Sequence, residues 1–234
     1  MKSFRIAVAV LSFICSSVSA QFNDCRDQFP NGVLPTLKQH GRDLCFNSFA
    51  VFYSPDEKKP IYVVERLNRR RLQDAVEERT NQFYEEARLR GNERALLTDY
   101  LRSGWDRGHN APAADMPNSD AMAQSFSLAN MMPQASENNR GIWAKAVERA
   151  TRQYVLRRAR GDVFVYTGSV GEITRIGSGR VVVPANLFKL VYDQERGEAW
   201  VYWVENTNTA KMSAPVTYSE IKKLTGIDFN LPVR

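Results

Sequence analysis

Apolar and polar residues follow two rhythms along the chain, and the change of rhythm maps its elements. Leu44–Tyr53 is dense in aromatic and β-branched residues and predicts a strand. Ser54–Pro60 carries Pro, Asp and Lys and predicts a turn, so Ile61–Arg66 completes a hairpin. Asn68–Asn92 is Arg-rich and only weakly periodic, which predicts a long surface loop with room for one helix; such loops commonly carry function. Trp143, Val147, Ala150 and Tyr154 recur at i, i+4, i+7 and i+11 and predict one apolar stripe on a helix over Ser136–Arg160, with Ser136 as N-cap and Gly161 as stop. Its last turns hold Arg157, Arg158 and Arg160, which suit the negative end of a helix dipole and read as a solvated face, with phosphate binding as the alternative. The rhythm then changes to period two. Val163–Thr167, Arg180–Val183, Asn186–Tyr192 and Ala199–Glu205 predict strands, Gly168-Ser169-Val170-Gly171 and Gly177-Ser178-Gly179 read as turns, and Tyr218–Thr225 predicts a short helix closed by Gly226. Strands and helices mix without βαβ alternation, which predicts an α+β fold with a largely antiparallel sheet.

At 234 residues the chain can bury a sizeable core, and no repeat, low-complexity segment or linker divides it. Its 43% apolar and 25% charged residues exclude collagen, coiled coil and wholesale disorder. The start of the chain stands apart. Lys2 and Arg5 precede an apolar run over Ile6–Cys15, and Val18 and Ala20 hold the small-residue positions before Gln21, the layout of a secretory signal peptide. The run has about half the ~20 residues that a bilayer-crossing helix needs. Phe13 and Ile14, ahead of Cys15, argue against a lipoprotein anchor. The expectation is a leader at 1–20 and a single domain at 21–234 in a secreted or periplasmic protein. Cys25 and Cys45 then most simply pair in an oxidising compartment, two free thiols being the alternative. No CxxC or Cys/His cluster has zinc spacing. The net charge of +6 falls to +4 when the leader takes Lys2 and Arg5 with it, a mild excess that suits a polyanion without demanding one.

P-loop, GxGxxG, GxSxG and HExxH signatures are all absent. Histidine is scarce. His40 sits beside Gly41 in the irregular start and reads as a surface residue, whereas His109 sits in Asp106-Arg107-Gly108-His109-Asn110-Ala111-Pro112-Ala113-Ala114-Asp115-Met116. That run sets a neutral base beside a guanidinium, with a glycine that lets the backbone bend. Further on, Asn130-Met131-Met132-Pro133-Gln134 and Asn138-Asn139-Arg140-Gly141-Ile142-Trp143 load a helix start with amides, although Asn is a poor helix-interior residue. By composition alone these segments are equally a turn and a capped helix with incidental polar groups.

The run from Asp106 to Met116 resembles the signature of the DNA/RNA non-specific endonucleases, the ββα-metal family. Leu44–Arg66 resembles the family's opening hairpin, Phe126–Gln134 its Asn-x-x-Pro-Gln segment and Asn139–Trp143 its Asn-x-Gly-x-Trp helix start. Val165–Ser169, Arg180–Pro184 and Phe188–Tyr192 resemble its later strands, so the likeness covers most of Cys45–Phe229. It implies a ββα-metal fold, a largely antiparallel central sheet flanked by helices. It implies hydrolysis of DNA and RNA phosphodiester bonds to 5′-phosphate and 3′-hydroxyl ends, with Mg²⁺ as cofactor, Mn²⁺ as a substitute and a homodimer as a compatible assembly. Residue by residue, it implies His109 as general base, Asn139 as the direct metal ligand and Arg107 as electrostatic support. Asn130, Gln134 and Asp106 would brace the metal and its waters. Arg79, in a looser match, would lie near the scissile phosphate.

One departure stands out. The family places a glutamate four residues after the helix tryptophan; here that position is Val147, and Glu148 follows it. A one-residue step turns a side chain by about 100° around an α-helix. Either the helix is locally shifted and Glu148 serves, or another acid does. A catalytically weak nucleic-acid-binding member of the fold therefore stays open, as does a disulfide-stapled envelope interaction protein. The chemistry is otherwise coherent. An anionic diester needs charge neutralisation and an oriented base, a role open to imidazole near neutral pH. Contacts to phosphate alone carry no sequence information.

Overall fold

The computed structural model describes residues 21–75 and 77–234, so the expected leader at 1–20 lies outside the described residues. The strands are β1 (Arg42–Cys45), β2 (Phe49–Ser54), β3 (Lys59–Leu67), β4 (Asp106–His109), β5 (Met131–Gln134), β6 (Val163–Val170), β7 (Thr174–Ile176), β8 (Val181–Val183), β9 (Asn186–Asp193) and β10 (Glu198–Glu205). The helices are α1 (Arg69–Asp74), α2 (Leu97–Tyr100), α3 (Ser119–Ser125), α4 (Arg149–Arg157) and α5 (Tyr218–Thr225). A π-helix, Asn138–Glu148, runs directly into α4. β1-β2-β3-β6-β9-β10 form one antiparallel sheet, while β4–β5 and β7–β8 are separate two-stranded ribbons. The α+β expectation holds.

Both faces of the sheet are covered, which is why its strands read as dense apolar runs. Phe52, Tyr62, Tyr166 and Phe188 point to one face and pack with Phe22, Phe29 and Phe229. Their neighbours Val51, Val63, Val165 and Val191 point to the other, beneath the helices and the β4–β5 ribbon. α5 is the most faithful local element. Thr217 and Glu220 exchange the reciprocal bonds of a capping box, and Gly226 takes the left-handed φ of 70° that ends the helix.

Four local expectations need correction. Leu44–Tyr53 is two strands, because Phe46–Ser48 turns and the Phe46 N–H donates to the Phe49 carbonyl at 3.0 Å. Val181–Val183 leaves the main sheet to pair with β7. Gly168 and Ser169 lie inside β6, where a Cβ on Gly168 would collide with the Ile61 carbonyl and the Phe188 ring. Ser136 does not cap the helix; its hydroxyl donates to Asp106 Oδ1 at 3.1 Å.

Cys25 and Cys45 are bonded, with Cα atoms 5.6 Å apart, and so tie the N-terminal segment to β1. The bond closes a separation of 20 residues and should stabilise by roughly 3 kcal/mol in the chain-entropy model. Cys25→Ser/Cys45→Ser should lose that amount in urea titration; an unchanged midpoint would mean that packing of Phe22 and Phe29 alone holds the segment.

Candidate active site

β4, β5 and the π-helix form a compact ββα unit on the helix-covered face. In the β4–β5 ribbon Asp106 pairs with Gln134 and His109 with Met131. Gly108 lets the ribbon close, since a Cβ there would run into the Gln134 side chain. Asn130 locks the turn after His109. Its Oδ1 accepts from the Ala111 N–H, and its Nδ2 donates to the Ala111 and Ser125 carbonyls, all at 2.9 Å. Gln134 Nε2 donates to Asn138 Oδ1 at 2.9 Å, and Asn138 Nδ2 in turn donates to the Glu205 carbonyl at 2.6 Å. Asn130 and Gln134 therefore brace strand and helix, and neither lines the cavity next to His109; the Gln134 Oε1 has no partner among the described residues.

Asp106 joins strand to helix. Its carboxylate accepts from Arg140 Nε at 2.8 Å and Nη2 at 2.7 Å, from Asn139 Nδ2 at 3.0 Å and from Ser136 Oγ. Burial pushes this carboxyl up, but the hydrogen bonds from Arg140, Asn139 and Ser136 outweigh it and hold the group below its usual range. The contact also orients Asn139. Only an amide N–H can donate to a carboxylate, so the Asn139 oxygen is left for the cavity.

That cavity, about 390 Å³, is lined by Arg79, Asp106, Arg107, His109, Asn139 and Glu148, with Phe83 among its walls. Residues 30 to 70 positions apart thus converge on one space. His109 is 7% exposed, with its ring edge-on to Phe126 at 5.0 Å and 5.8 Å from Phe83. Its Nε2 is buried without a partner among the described residues, leaving Nδ1 to meet the cavity. Burial, and after it the charges of Arg79 and Arg107, push the imidazole down to about 3, so the ring is neutral at ordinary pH. The two guanidiniums rest on rings, Arg107 over Phe83 at 4.0 Å and Arg79 over Phe126 at 5.1 Å.

Glu148 reaches the cavity because the helix is π-wound. Nine residues separate it from Asn139, about two and a half turns of an α-helix, which would put the two on opposite sides. Hydrogen bonds closing over five residues widen the turn to more than four residues, and nine residues then make about two turns. Val147, at the family's glutamate position, is fully buried against Met132, Trp143 and Leu187. The wider turn also rewrites the apolar stripe. Thr151 and Val155 follow Val147 into the interior, whereas Ala150 and Tyr154 are only half-buried.

Sequence reasoning missed the charges behind Glu148. Arg152 Nη1 donates to buried Asp115 Oδ1 at 3.0 Å and lies 3.9 Å from Glu148 Oε2. Lys189 Nζ donates to Thr167 Oγ1 at 2.7 Å and lies 3.8 Å from Glu65 Oε1. Burial raises the Glu148 carboxyl, against the opposing charge of Lys189. The i, i+4 spacing of Glu148 and Arg152 was the one available signal; Lys189 and Glu65 sat unmarked in apolar strands.

A family model described as DNA/RNA non-specific endonuclease matches residues 32–234. The chain belongs to that family. Similar relatives include the mitochondrial nuclease EXOG of Xenopus laevis, 33% identical over 63% of this chain and 44% of its own length. A protein named nuclease from Nostoc sp. is 29% identical over 86% of this chain and 77% of its own. The chain thus spans less than half the length of the EXOG relative it matches. A chain in the crystal structure of the EndoG/EndoGI complex superposes with a TM-score of 0.71 at 22% identity, covering 82% of this chain and 87% of that one; it shares the fold.

Two expected outcomes follow from the geometry. His109 has a folded value below the usual 6.5, so the unfolded chain takes up a proton first and stability falls as pH drops below about 6.5. Relative to His109→Asn, the protein should lose roughly 2–3 kcal/mol between pH 6.5 and 4.5 by urea titration. A parallel pH dependence in the two proteins would show that the ring is not held neutral. Val147→Glu, which restores the acid at the family's position, should cost more than about 3 kcal/mol and leave activity unimproved, because the carboxylate enters an apolar cluster. A stable, more active variant would refute the π-helical register.

Proposed function

We propose that this protein is a metal-dependent endonuclease that hydrolyses DNA and RNA to 5′-phosphate and 3′-hydroxyl ends, with Mg²⁺ as its cofactor and Mn²⁺ as a substitute. The observation that carries this reading is the convergence of a neutral, buried imidazole and a fixed amide oxygen on one cavity flanked by two arginines. The donor set suits the ion. The Asn139 oxygen is a hard ligand, and the Glu148 carboxylate lines the same cavity, where it would hold metal-bound water.

His109 takes the proton of the attacking water, its Nδ1 facing the cavity and its base form maintained by burial. Arg79 and Arg107 offset the charge of the diester, and their stacking on Phe126 and Phe83 limits their motion. Asp106 holds Asn139 in register with the strand that carries His109. A bound divalent cation would neutralise phosphate charge and stabilise the departing 3′-oxygen. Every group so placed addresses the backbone, which supports tolerance of both sugars and weak base preference. The π-helix offsets the displaced glutamate and so supports a hydrolase over a weak, binding-only relative. Export to an oxidising compartment, secreted or periplasmic, is supported by the Cys25–Cys45 bond.

Digestion of supercoiled plasmid and of ribosomal RNA with Mg²⁺ tests the reading. EDTA should abolish both cleavages, and His109→Ala should lower the rate by about 10²–10⁴-fold. Asn139→Ala should lose most activity while unfolding at nearly the native temperature. Undiminished cleavage by either variant, or in EDTA, would sink the assignment.

A further inference from the structure

The helix that presents Asn139 and Glu148 does a second thing. Between Asn138 and Arg160 the chain carries seven basic residues and one acid, Glu148. Arg140 and Arg152 are paired with Asp106 and Asp115. The remainder converge elsewhere. An open groove of about 990 Å³ runs between α4 and the edge strand β10 and is lined by Arg69, Arg157, Arg158, Arg160 and Arg196, against a single carboxylate, Glu198. Among the described residues, Arg69, Arg157, Arg158 and Arg160 have no ion-pair partner, and all four are exposed. Concentrating like charges in one depression costs the native state, and a polyanion would remove that cost.

The same groove contains aromatic surface. Tyr154, Trp200 and Tyr202 are all partly exposed in it, with Tyr154 and Trp200 edge-to-face at 4.6 Å. Cations for phosphates beside rings for bases is the combination that holds a nucleic-acid strand without sequence preference. The groove and the candidate active site share the helix but not its face, since Arg157 lies nine α-helical residues after Glu148, on the opposite side. Ala144 and Glu148 wall the catalytic cavity, Ala150, Gln153, Tyr154 and Arg157 wall the groove, and exposed Lys145 and Arg149 lie on the helix between them. Ten residues of helix separate Glu148 from Arg158, a rise of about 15 Å, and a strand that reached both would also pass round the flank carrying Lys145 and Arg149, so it would span at least roughly four or five nucleotide steps at 3.4 Å each.

We propose that the α4–β10 groove is an auxiliary nucleic-acid site, which grips the substrate strand several nucleotides from the bond being cut. This rests on the proposed endonuclease activity and adds to it a dependence on substrate length. Substrates too short to reach Arg157–Arg160 should bind through the cavity alone, and longer ones should gain affinity through the groove.

The test compares a trinucleotide with a 16-mer, single- and double-stranded, for the native protein and for Arg157→Gln/Arg158→Gln/Arg160→Gln. The three positions are exposed, so the melting temperature should not change. The variant should raise KM for the 16-mer by about tenfold or more near physiological salt, leave kcat and trinucleotide cleavage unchanged, and lower the salt dependence of duplex binding by about 2–3 logarithmic units per decade. Equal loss on both lengths would mean that the arginines act on the cavity or through the overall field, and would overturn the groove. So would an unchanged KM and salt slope, or binding of the native protein to phosphatidylglycerol vesicles that the variant loses while its affinity for the 16-mer persists. Failure of the native protein to cleave either length would count against the endonuclease reading instead. The groove would then stand or fall on anisotropy of a labelled 16-mer bound by the two proteins.

Discussion

The active-site region hangs on the carboxylate of Asp106. It sits at the start of β4, three residues before His109, and accepts four hydrogen bonds from Ser136, Asn139 and Arg140. Strand and helix each bring a group that the other needs, and this junction sets the distance between them. It also decides which end of the Asn139 amide faces the cavity, which no backbone geometry could do. Arg140 adds a charge-assisted, bidentate contact from the solvent side of the junction. Ser136 lies inside the first helical turn, where its hydroxyl donates to Asp106 instead of capping the helix.

Behind that junction lies a second constraint, the charge buried under the helix. Glu65, Asp115 and Glu148 share the space with Lys189 and Arg152. Both Glu65 oxygens lack hydrogen-bond partners among the described residues, and burial, with Asp115 adding to it, drives this carboxyl well above its ordinary range. Such a cluster is costly and is weak support for stability. Its position is informative, since it ends at Glu148, a carboxylate that lines the cavity. The π-winding works toward the same end. Irregular turns of this kind are rare and gather at functional sites, and here the wide turn aims Glu148 while Val147 fills the core.

Legibility from sequence followed the range of the interaction. The C-terminal helix and its cap were readable because every bond in the box lies within three residues. β3, β6 and β9 were readable because layers on both faces bury them, and β10 because its run is rich in aromatic and β-branched residues. The split of Leu44–Tyr53 was not, since Phe46 is as apolar as any strand residue and the turn rests on the bond from the Phe46 N–H to the Phe49 carbonyl and on the distant Gln124, whose Oε1 accepts from the Asn47 N–H. The apolar stripe at Ala150 and Tyr154 assumed α-helical spacing and failed where the helix changed pitch. Among the site residues, Arg79, Arg107, His109, Asn139 and Glu148 do share a cavity, whereas Asn130 and Gln134 spend their amides on backbone and neighbouring side chains.

By itself, then, the sequence determined the α+β class, the residue types available for chemistry and the family to which the chain belongs, because periodicity and motif spacing are properties of a line. What the tertiary structure alone decided was direction: which amide points outward, which of two adjacent positions meets the cavity, and that arginines at a helix end gather with β10 aromatics instead of dispersing into solvent. Those outcomes depend on helix pitch and on partners tens of residues away, and a one-residue change in either rotates a side chain from core to cavity.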